Sequence, residues 1–411
     1  MKSWKTRVLE PRALGYRGAL VVLSCLAPGL AGAGVSEALA GGQASLDLRL
    51  RFEQAKQDGA RDADALTSRL RLGYATEAWQ GFQAFVEYEG IAAVGGDDRY
   101  NSGPPFLEST NGNTRFATVA DPTGDEVNRA WLRYRGLPET QITLGRQRII
   151  LDDARFIGNV GWRQNEQTFD AFRAKYEPVA AVTLQYAYLW QQNFIFFNAN
   201  ELDAHLVNAQ WAASEQLTLS GFAYFIDFAE DDGGPRAPGA PDQRVLGARA
   251  KGQAGPIAYA LSVADQSGHA EAPASVDARY LLAELTLPDF GVAPTLGYEL
   301  LGGDGDYAFQ FPLATNHKFS GWADLFLSTP PDGLADRYLK LKTQRGPVSV
   351  TVAYHDFASD NGSRDYGREL DAAVAWQPDA SFGLLIKLAD YEAEDFGVDT
   401  RRLWVQLRYG F

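Results

Sequence analysis

The sequence predicts an all-β fold, an 18-stranded antiparallel transmembrane β-barrel with short periplasmic turns and long extracellular loops. Three observations lead to this expectation. Segments of alternating apolar and polar residues recur along the chain, their connections alternate between short and long, and the last segment alternates up to a terminal phenylalanine.

Eighteen segments between Gln43 and Phe411 have the period-two alternation of a strand, and Gly, Pro, Asn or Asp residues bound them. An even number of strands places both ends of the chain on the same side of the membrane. The predicted strands lie near 43–53, 65–78, 80–90, 125–136, 140–148, 168–176, 180–190, 201–213, 216–228, 243–252, 256–265, 276–286, 291–301, 336–344, 347–357, 368–376, 380–390 and 400–411.

Every second connection between these segments is tight, as at 79–80, 214–215 and 346. Tight periplasmic turns and extended extracellular loops are typical of outer-membrane barrels. A soluble β-sandwich has a compatible composition but no reason to shorten every second hairpin. The predicted long connections are 54–64, 91–124, 149–167, 191–200, 229–242, 266–275, 302–335, 358–367 and 391–399.

The N-terminal segment 1–40 is predicted to be a secretory signal peptide. A basic region precedes a short apolar stretch, and small-residue cleavage sites end at Ala33 and Ala40, of which we favour the second. The apolar stretch is too short for a membrane-spanning helix, which needs about 20 residues. We therefore expect residues 41–411 to form the barrel, located in the outer membrane of a Gram-negative cell.

The composition argues against several classes of function. The formal net charge of −14 argues against nucleic acid as a partner. The single cysteine, Cys25, lies in the predicted signal, and the four histidines are isolated, so we expect no metal and no cofactor. No G-x-S-x-G motif is present, and we expect no enzyme, although the sequence leaves a lipid hydrolase with a Ser–His pair open.

Strand alternation assigns most charged residues of the wall to the barrel interior. In the first strand, the leucines at 46, 48 and 50 would face lipid, while Arg49 and Arg51 face the lumen. A charge at mid-depth on the lipid face costs about 2–4 kcal/mol, so such residues must turn inward. The segments 216–228 and 276–286 leave their faces unassigned. The candidate lumen-wall residues are Arg49, Arg51, Arg69, Arg71, Arg129, Arg133, Arg135, Lys340 and Lys342.

The acidic residues concentrate in the predicted external loops, where solvent or bound cations would screen them. An alternative role for the wall arginines is to pair with acidic residues across the barrel and fill it without transport. With eighteen strands, an aqueous channel is expected unless a loop folds in. The loop acids are Asp97, Asp98, Glu108, Asp121, Glu230, Asp231, Asp232, Asp242, Asp304, Asp306, Asp324 and Asp332, and the wall acids are Asp47, Glu53, Glu87, Glu89 and Asp371.

The third long connection holds the most distinctive sequence of the chain, a run rich in Arg, Gln, Asn, Trp and Gly. The planar side chains of these residues suit hydrogen bonding and stacking with sugar rings and carboxylates. The run G-R-Q-R…D…R-F-x-G-N-x-G-W-R-Q-N, at 145–165, resembles the signature of the alginate-export family of outer-membrane proteins. A second matching stretch spans 309–324.

The resemblance implies an 18-stranded monomeric barrel whose arginine-rich constriction passes an anionic polysaccharide of uronic acids. It implies that Asp152 and Asp153 orient the arginines of that constriction. The candidate constriction residues are Arg146, Arg148, Arg155 and Arg163, with Asp152, Asp153, Asn159, Trp162, Gln164 and Asn165 beside them.

The expected function is conduction of anionic polysaccharide or uronic-acid-type solutes through this lumen. Two alternatives stay open, a diffusion porin for small anionic solutes such as sugar or aromatic acids, and a structural barrel closed by its loops. The expected partners are outer-membrane lipid, lipopolysaccharide, an anionic saccharide, and the barrel assembly machinery. The last would recognise the C-terminal strand ending in Phe411, which is similar to the signal of outer-membrane barrels.

Overall fold

The computed structural model describes residues 33–229, 241–272, 275–288 and 290–411. Within them, eighteen antiparallel strands form one sheet, and the first strand pairs with both the second and the last. The sheet therefore has no open edge, and the predicted fold class is confirmed. Most of the predicted signal peptide lies outside the described residues.

All eighteen predicted strands have a counterpart, and most bounds differ by only a few residues because strand ends depend on the partner strand. The one α-helix of the described chain, α1, spans Ala33–Ala40. The strands are β1 Gln43–Gln57, β2 Ala63–Ala75, β3 Phe82–Ala93, β4 Gly124–Leu137, β5 Thr140–Gln147, β6 Thr168–Val179, β7 Val182–Asn193, β8 Ala199–Ser214, β9 Leu217–Phe228, β10 Gln243–Ala254, β11 Ile257–Gly268, β12 Asp277–Thr286, β13 Ala293–Leu301, β14 Leu334–Arg345, β15 Val348–Ala358, β16 Asp365–Trp376, β17 Phe382–Ala393 and β18 Thr400–Gly410.

The two faces of the wall follow the alternation in the sequence. In β1, Leu50 is 39% exposed on the outer face, whereas the adjacent Arg51 is 1% exposed on the inner face. Across the seam, Leu50 pairs in register with Leu407 of β18, another exposed leucine. An apolar exterior and a polar interior are what a barrel in a lipid bilayer requires.

The two strands without an assigned face turn apolar side chains inward. In β9, Phe222 and Tyr224 are buried on the inner face, and Tyr280 and Leu282 are buried in β12. These residues belong to a hydrophobic cluster that fills this side of the lumen. The alternation is weak here because both faces of the wall contact apolar groups.

Two long loops fold into the barrel, and their apolar side chains complete the hydrophobic cluster that β9 and β12 line. We call them L3, residues 148–167 between β5 and β6, and L7, residues 302–333 between β13 and β14, and together they form the plug. Phe156 of L3 lies 5.3 Å from Phe311 of L7 and 4.7 Å from Phe222 of β9, measured between ring centroids. The hydrophobic core thus lies inside the barrel.

The expectation that the loop acids are solvated is wrong for two of them. The side chains of Asp121 and Asp324 are buried beside arginines, whereas Asp98, Glu108, Asp304 and Asp306 are exposed. Burial of a carboxylate is tolerated only with such a partner. Glu230, Asp231 and Asp232 lie outside the described residues. No helix in the described part of the chain is both long and apolar enough to cross a membrane.

Candidate functional site: a basic lumen crossed by two loops

L3 and L7 bind each other through their backbones. The amide of Gly158 donates to the carbonyl of Leu313 at 2.8 Å, and the amide of Thr315 donates to the carbonyl of Ala154 at 3.0 Å. The side chain of Gln167 adds a hydrogen bond to the same Leu313 carbonyl at 3.0 Å. The two segments that carry the family motifs therefore form one body in the lumen.

Arg163 connects this body to the wall. Its guanidinium donates to Glu53 of β1 at 3.1 Å and to Asp324 of L7 at 2.8 Å. Burial would lower the pKa of Arg163, but the two carboxylates outweigh it and raise that pKa above its ordinary value. Arg163 is therefore a permanently charged crosslink between wall and plug.

Arg155 makes a second connection on the other side of the plug. Its Nε donates to Glu299 of β13 at 2.8 Å. The guanidinium carbon also lies 3.9 Å from the ring centroid of Phe311 and 4.6 Å from that of Phe319. Both anchors of L3 thus form ion pairs with carboxylates inside the barrel.

Glu166 is the centre of a third group and was not singled out from the sequence. It accepts hydrogen bonds from Arg148 at 2.7 Å, Asn159 at 2.6 Å and Asn128 at 2.9 Å, and it lies 3.2 Å from Arg71. Burial would raise the pKa of Glu166, but Arg71 and Arg148 hold it below its ordinary range. The sequence feature that could have indicated Glu166 is its position directly after the arginine-rich run.

The aspartates implied to orient the constriction arginines do not do so. Asp152 accepts hydrogen bonds from Asn208 at 2.8 Å and Ser220 at 3.1 Å. Asp153 forms an ion pair with Arg249 of β10 and meets Arg155 only through the backbone amide of that residue. The carboxylates that hold the arginines come instead from the wall, from L7 and from the end of L3.

Arg146 lies in the wall and not in the plug. Strand register places it opposite Ala130 and Asp170, and its Nε donates to Asp170 at 2.8 Å. Arg146 also lies 3.8 Å from Glu126 of β4. Its charge is therefore paired with carboxylates of the wall, which corrects its implied place in the plug.

The remaining motif residues are held by the wall. Arg51 donates to the carbonyl of Trp162 at 2.6 Å, and Arg49 donates to the carbonyl of Arg163 at 2.9 Å. Gln164 donates to Thr67 at 2.9 Å, and Asn165 donates to the carbonyl of Phe194 at 3.4 Å. These contacts make the residues structural parts of the plug.

A buried network behind Trp162 was also missed from the sequence. The Trp162 ring stacks on His317 at 4.6 Å, and His317 joins Lys387 of β17 at 2.7 Å and Asp324 at 2.6 Å. Burial lowers the pKa of His317 to about 3, so the ring is neutral at pH 7. Isolated in the sequence, this histidine gave no spacing signal.

The wall arginines fall into two groups. Those level with the plug form ion pairs, except Arg49, which donates instead to backbone carbonyls of L3. The pairs are Arg69 with Asp47, Arg71 with Glu89, and Arg129 with Glu87. This geometry matches the pairing anticipated as the alternative role. Asp371 departs from it because its neighbour at 3.9 Å is His355.

The second group lies nearer the tight turns, and fewer of its positive charges are paired with carboxylates. Arg133 contacts the Trp131 ring, Arg135 binds Gln141, and Lys340 lies 3.9 Å from Glu284. Lys342, one inward position further, is exposed at the same end. The interior is therefore neutralised at the plug and basic below it.

The family description of alginate export proteins matches residues 42–315, which include all of L3 and the first part of L7. The chain belongs to the alginate export family. As a family member with this closed barrel, it is an outer-membrane protein. No curated protein sequence is significantly similar to it.

Solved structures of outer-membrane porins share the fold of this alginate export family member. OccK3 (OpdO) of Pseudomonas aeruginosa has a TM-score of 0.66 and 13% identity, with 92% of this chain and 98% of that chain covered. OpdK of Pseudomonas aeruginosa with vanillate has a TM-score of 0.67, 14% identity, and coverage of 90% and 98%. OccAB4 of Acinetobacter baumannii has a TM-score of 0.67, 11% identity, and coverage of 90% and 98%.

Proposed function

We propose that this outer-membrane channel, which is not an enzyme, conducts carboxylate-bearing solutes through its basic lumen. The observation that carries the proposal is the set of inward-facing arginines and lysines below the plug, on β4, β6, β10 and β14. Guanidinium groups bind carboxylates with charge-assisted, often bidentate hydrogen bonds. Several weak sites in series attract an anion and still release it.

The plug favours small solutes, such as uronates, other sugar acids or aromatic acids. L3 is connected to β1 through Arg163 and to β13 through Arg155, so it spans the lumen from one side of the wall to another. A polymer would have to displace these buried anchors, whereas a small solute passes beside them. The related OpdK was crystallised with vanillate, a small aromatic acid.

A second candidate is export of an anionic polysaccharide of uronic acids. The family match supports it because that match covers 42–315 and includes the motif of L3. Under this hypothesis, the plug moves aside as the polymer enters.

Liposome swelling separates the two candidates. Proteoliposomes are mixed with glucuronate, with uronate oligomers of increasing length, and with glucose as the neutral control. We expect rapid entry of glucuronate and a sharp decline at the disaccharide or trisaccharide. Equal entry of long oligomers would favour polysaccharide export. Equal entry of glucose and glucuronate would contradict both candidates.

We also propose that the chain acts as a monomer, contacts lipopolysaccharide, loses its signal peptide, and enters the membrane through recognition of Phe411. The position of Phe411 supports the last point. It closes the seam by exchanging two backbone hydrogen bonds with Leu46 of β1, at 3.0 and 3.1 Å, while its side chain is exposed.

A further inference from the structure

The basic residues below the plug include a cluster that differs from the arginines above it. Arg133 on β4 and Arg173 on β6 face the lumen, and the charged neighbours of Arg133 are Arg135 and Arg173. Most arginines at the plug level face a carboxylate, and Arg49 donates instead to backbone carbonyls of L3. Here, three like charges face one another.

Strand register fixes the arrangement of this cluster. Arg133 pairs with Thr143 of β5, and Thr143 pairs with Arg173, so the two arginines lie in one row across three strands. Neighbouring strands are about 4.8 Å apart, which separates the two Cα atoms by about 10 Å. One strand row closer to the periplasm, Gln141 pairs with Lys175 and Lys175 pairs with Gln185.

Neutral groups orient the three guanidiniums. Arg135 donates from Nε and Nη2 to Oε1 of Gln141, at 2.9 and 2.7 Å, and Arg173 donates to Gln185. The guanidinium carbon of Arg133 lies 4.0 Å from the Trp131 ring centroid, and its buried Nε has no hydrogen-bond partner among the described residues. Amides and an aromatic ring fix the geometry but leave the positive charges uncompensated.

Lys175 does not join the cluster because its ammonium is paired with Glu177 at 2.8 Å. Lys175 differs in this from the three arginines. Its pair with Glu177 shows that a wall cation at this end of the barrel can be neutralised by a neighbouring carboxylate. Crowded like charges without a counterion destabilise a fold, and a bound anion relieves that repulsion.

We propose that Arg133, Arg135 and Arg173 form a carboxylate-binding station on the periplasmic half of the lumen wall. It is separate from the motif arginines of the plug. The inference rests on the proposed function, because it names the place where the conducted solute is held. Arginines already paired with buried carboxylates cannot offer their charge to a passing solute, whereas these three can. The chemistry that fits is a uronate or another hydroxylated carboxylate.

The experiment compares Arg173→Gln with Arg401→Gln. Arg401 is an exposed cation at the start of β18 that pairs with Asp390, and it is not one of the inward-facing cations below the plug. The glucuronate concentration that half-blocks the chloride current in planar bilayers measures the affinity. Arg173→Gln should raise that concentration about tenfold, equivalent to about 1.4 kcal/mol, and Arg401→Gln should change it by less than about twofold.

Arg173→Lys and Arg133→Gln keep the test independent of folding. The lysine retains the charge but loses the planar fork, so an intermediate shift is expected, and Arg133→Gln should match Arg173→Gln. Inorganic phosphate, run in parallel, should block less strongly than glucuronate in wild type. A stronger phosphate block would overturn the assigned ligand class.

The inference and the proposed function can fail separately. If wild type passes and is blocked by glucuronate but Arg173→Gln is blocked equally well, the station is contradicted and the channel function stands. If glucuronate neither enters wild-type liposomes nor blocks the current, both are contradicted.

Discussion

At the plug, each buried arginine of L3 is held by a carboxylate from another part of the structure. Arg163 and Asp324 are 161 residues apart in sequence, and Arg155 and Glu299 are 144 apart. Removing one partner of such a pair lowers stability strongly, because the charge of the other partner stays buried and loses its compensation. The side chains that hold the plug should therefore show large, directional effects on mutation.

Replacing Arg163 with Gln removes the cation between Glu53 and Asp324. These two carboxylates keep Arg402 and His317 as their remaining partners in a buried site. We expect the plug to be destabilised by about 3 kcal/mol, the lower end of the range for a broken buried pair, whereas loss of an exposed ion pair costs about 0–1 kcal/mol. The matched control is Arg99→Gln, which removes the exposed pair with Asp64. The rate of proteolytic cleavage within L3 measures the effect, and equal rates in the two variants would refute it.

Protonation of His317 should determine how the stability of the plug changes with pH. Burial lowers its pKa from 6.5 to about 3, although Asp324 opposes this shift. Between these values the unfolded loop binds a proton that the folded loop does not, so plug stability falls as pH falls below 6.5, by up to about 1.4 kcal/mol per pH unit.

Two carboxylates of the plug itself, Glu166 and Asp324, act in a more acidic range. The pKa values of Glu166 and Asp324 are held below their ordinary values of 4.5 and 3.8, so their contribution persists above that range and is lost only in stronger acid. Between pH 6.5 and 5, His317→Gln should therefore flatten the rise in L7 proteolysis seen in wild type. An unchanged slope in the variant would be inconsistent with this assignment.

At the scale of the elements, the sequence predicted the strands better than the loops. Alternation is a local property, so all eighteen strands and the faces of strands such as β1 could be predicted. The faces of β9 and β12 could not, because the partner of their inner face is the plug. The same long-range packing explains why the orienting role of Asp152 and Asp153 was wrong, while Glu166 and Glu299 hold Arg148 and Arg155.

The contact between L3 and L7 has its own test at Gly158. A Cβ atom at this position would lie 2.3 Å from Oγ1 of Thr315 and 2.9 Å from its backbone nitrogen, so Gly158→Val should separate the two loops. We expect a higher single-channel conductance with more frequent current fluctuations.

The matched control is Gly221→Val on β9, where a Cβ atom meets nothing within 4 Å. It should leave the conductance unchanged. A Gly158→Val channel with wild-type conductance would show that the L3–L7 contact does not limit the path.

At the scale of the whole molecule, the distribution of charge matters more than the total. The chain has a formal net charge of −14, yet inward-facing cations predominate below the plug, while several acidic residues are buried at the plug and paired with arginines. Net charge influences solubility and long-range attraction, whereas permeation depends on the groups that line the path. A negatively charged protein can therefore contain an anion-selective channel.

The reversal potential of the wild-type channel in a planar bilayer under a potassium chloride gradient tests this account most directly. A basic lumen predicts a reversal potential displaced toward the chloride equilibrium potential, with a further decrease in current when glucuronate is added. A reversal potential displaced toward the potassium equilibrium potential would contradict the proposed passage of carboxylates through a positively charged interior.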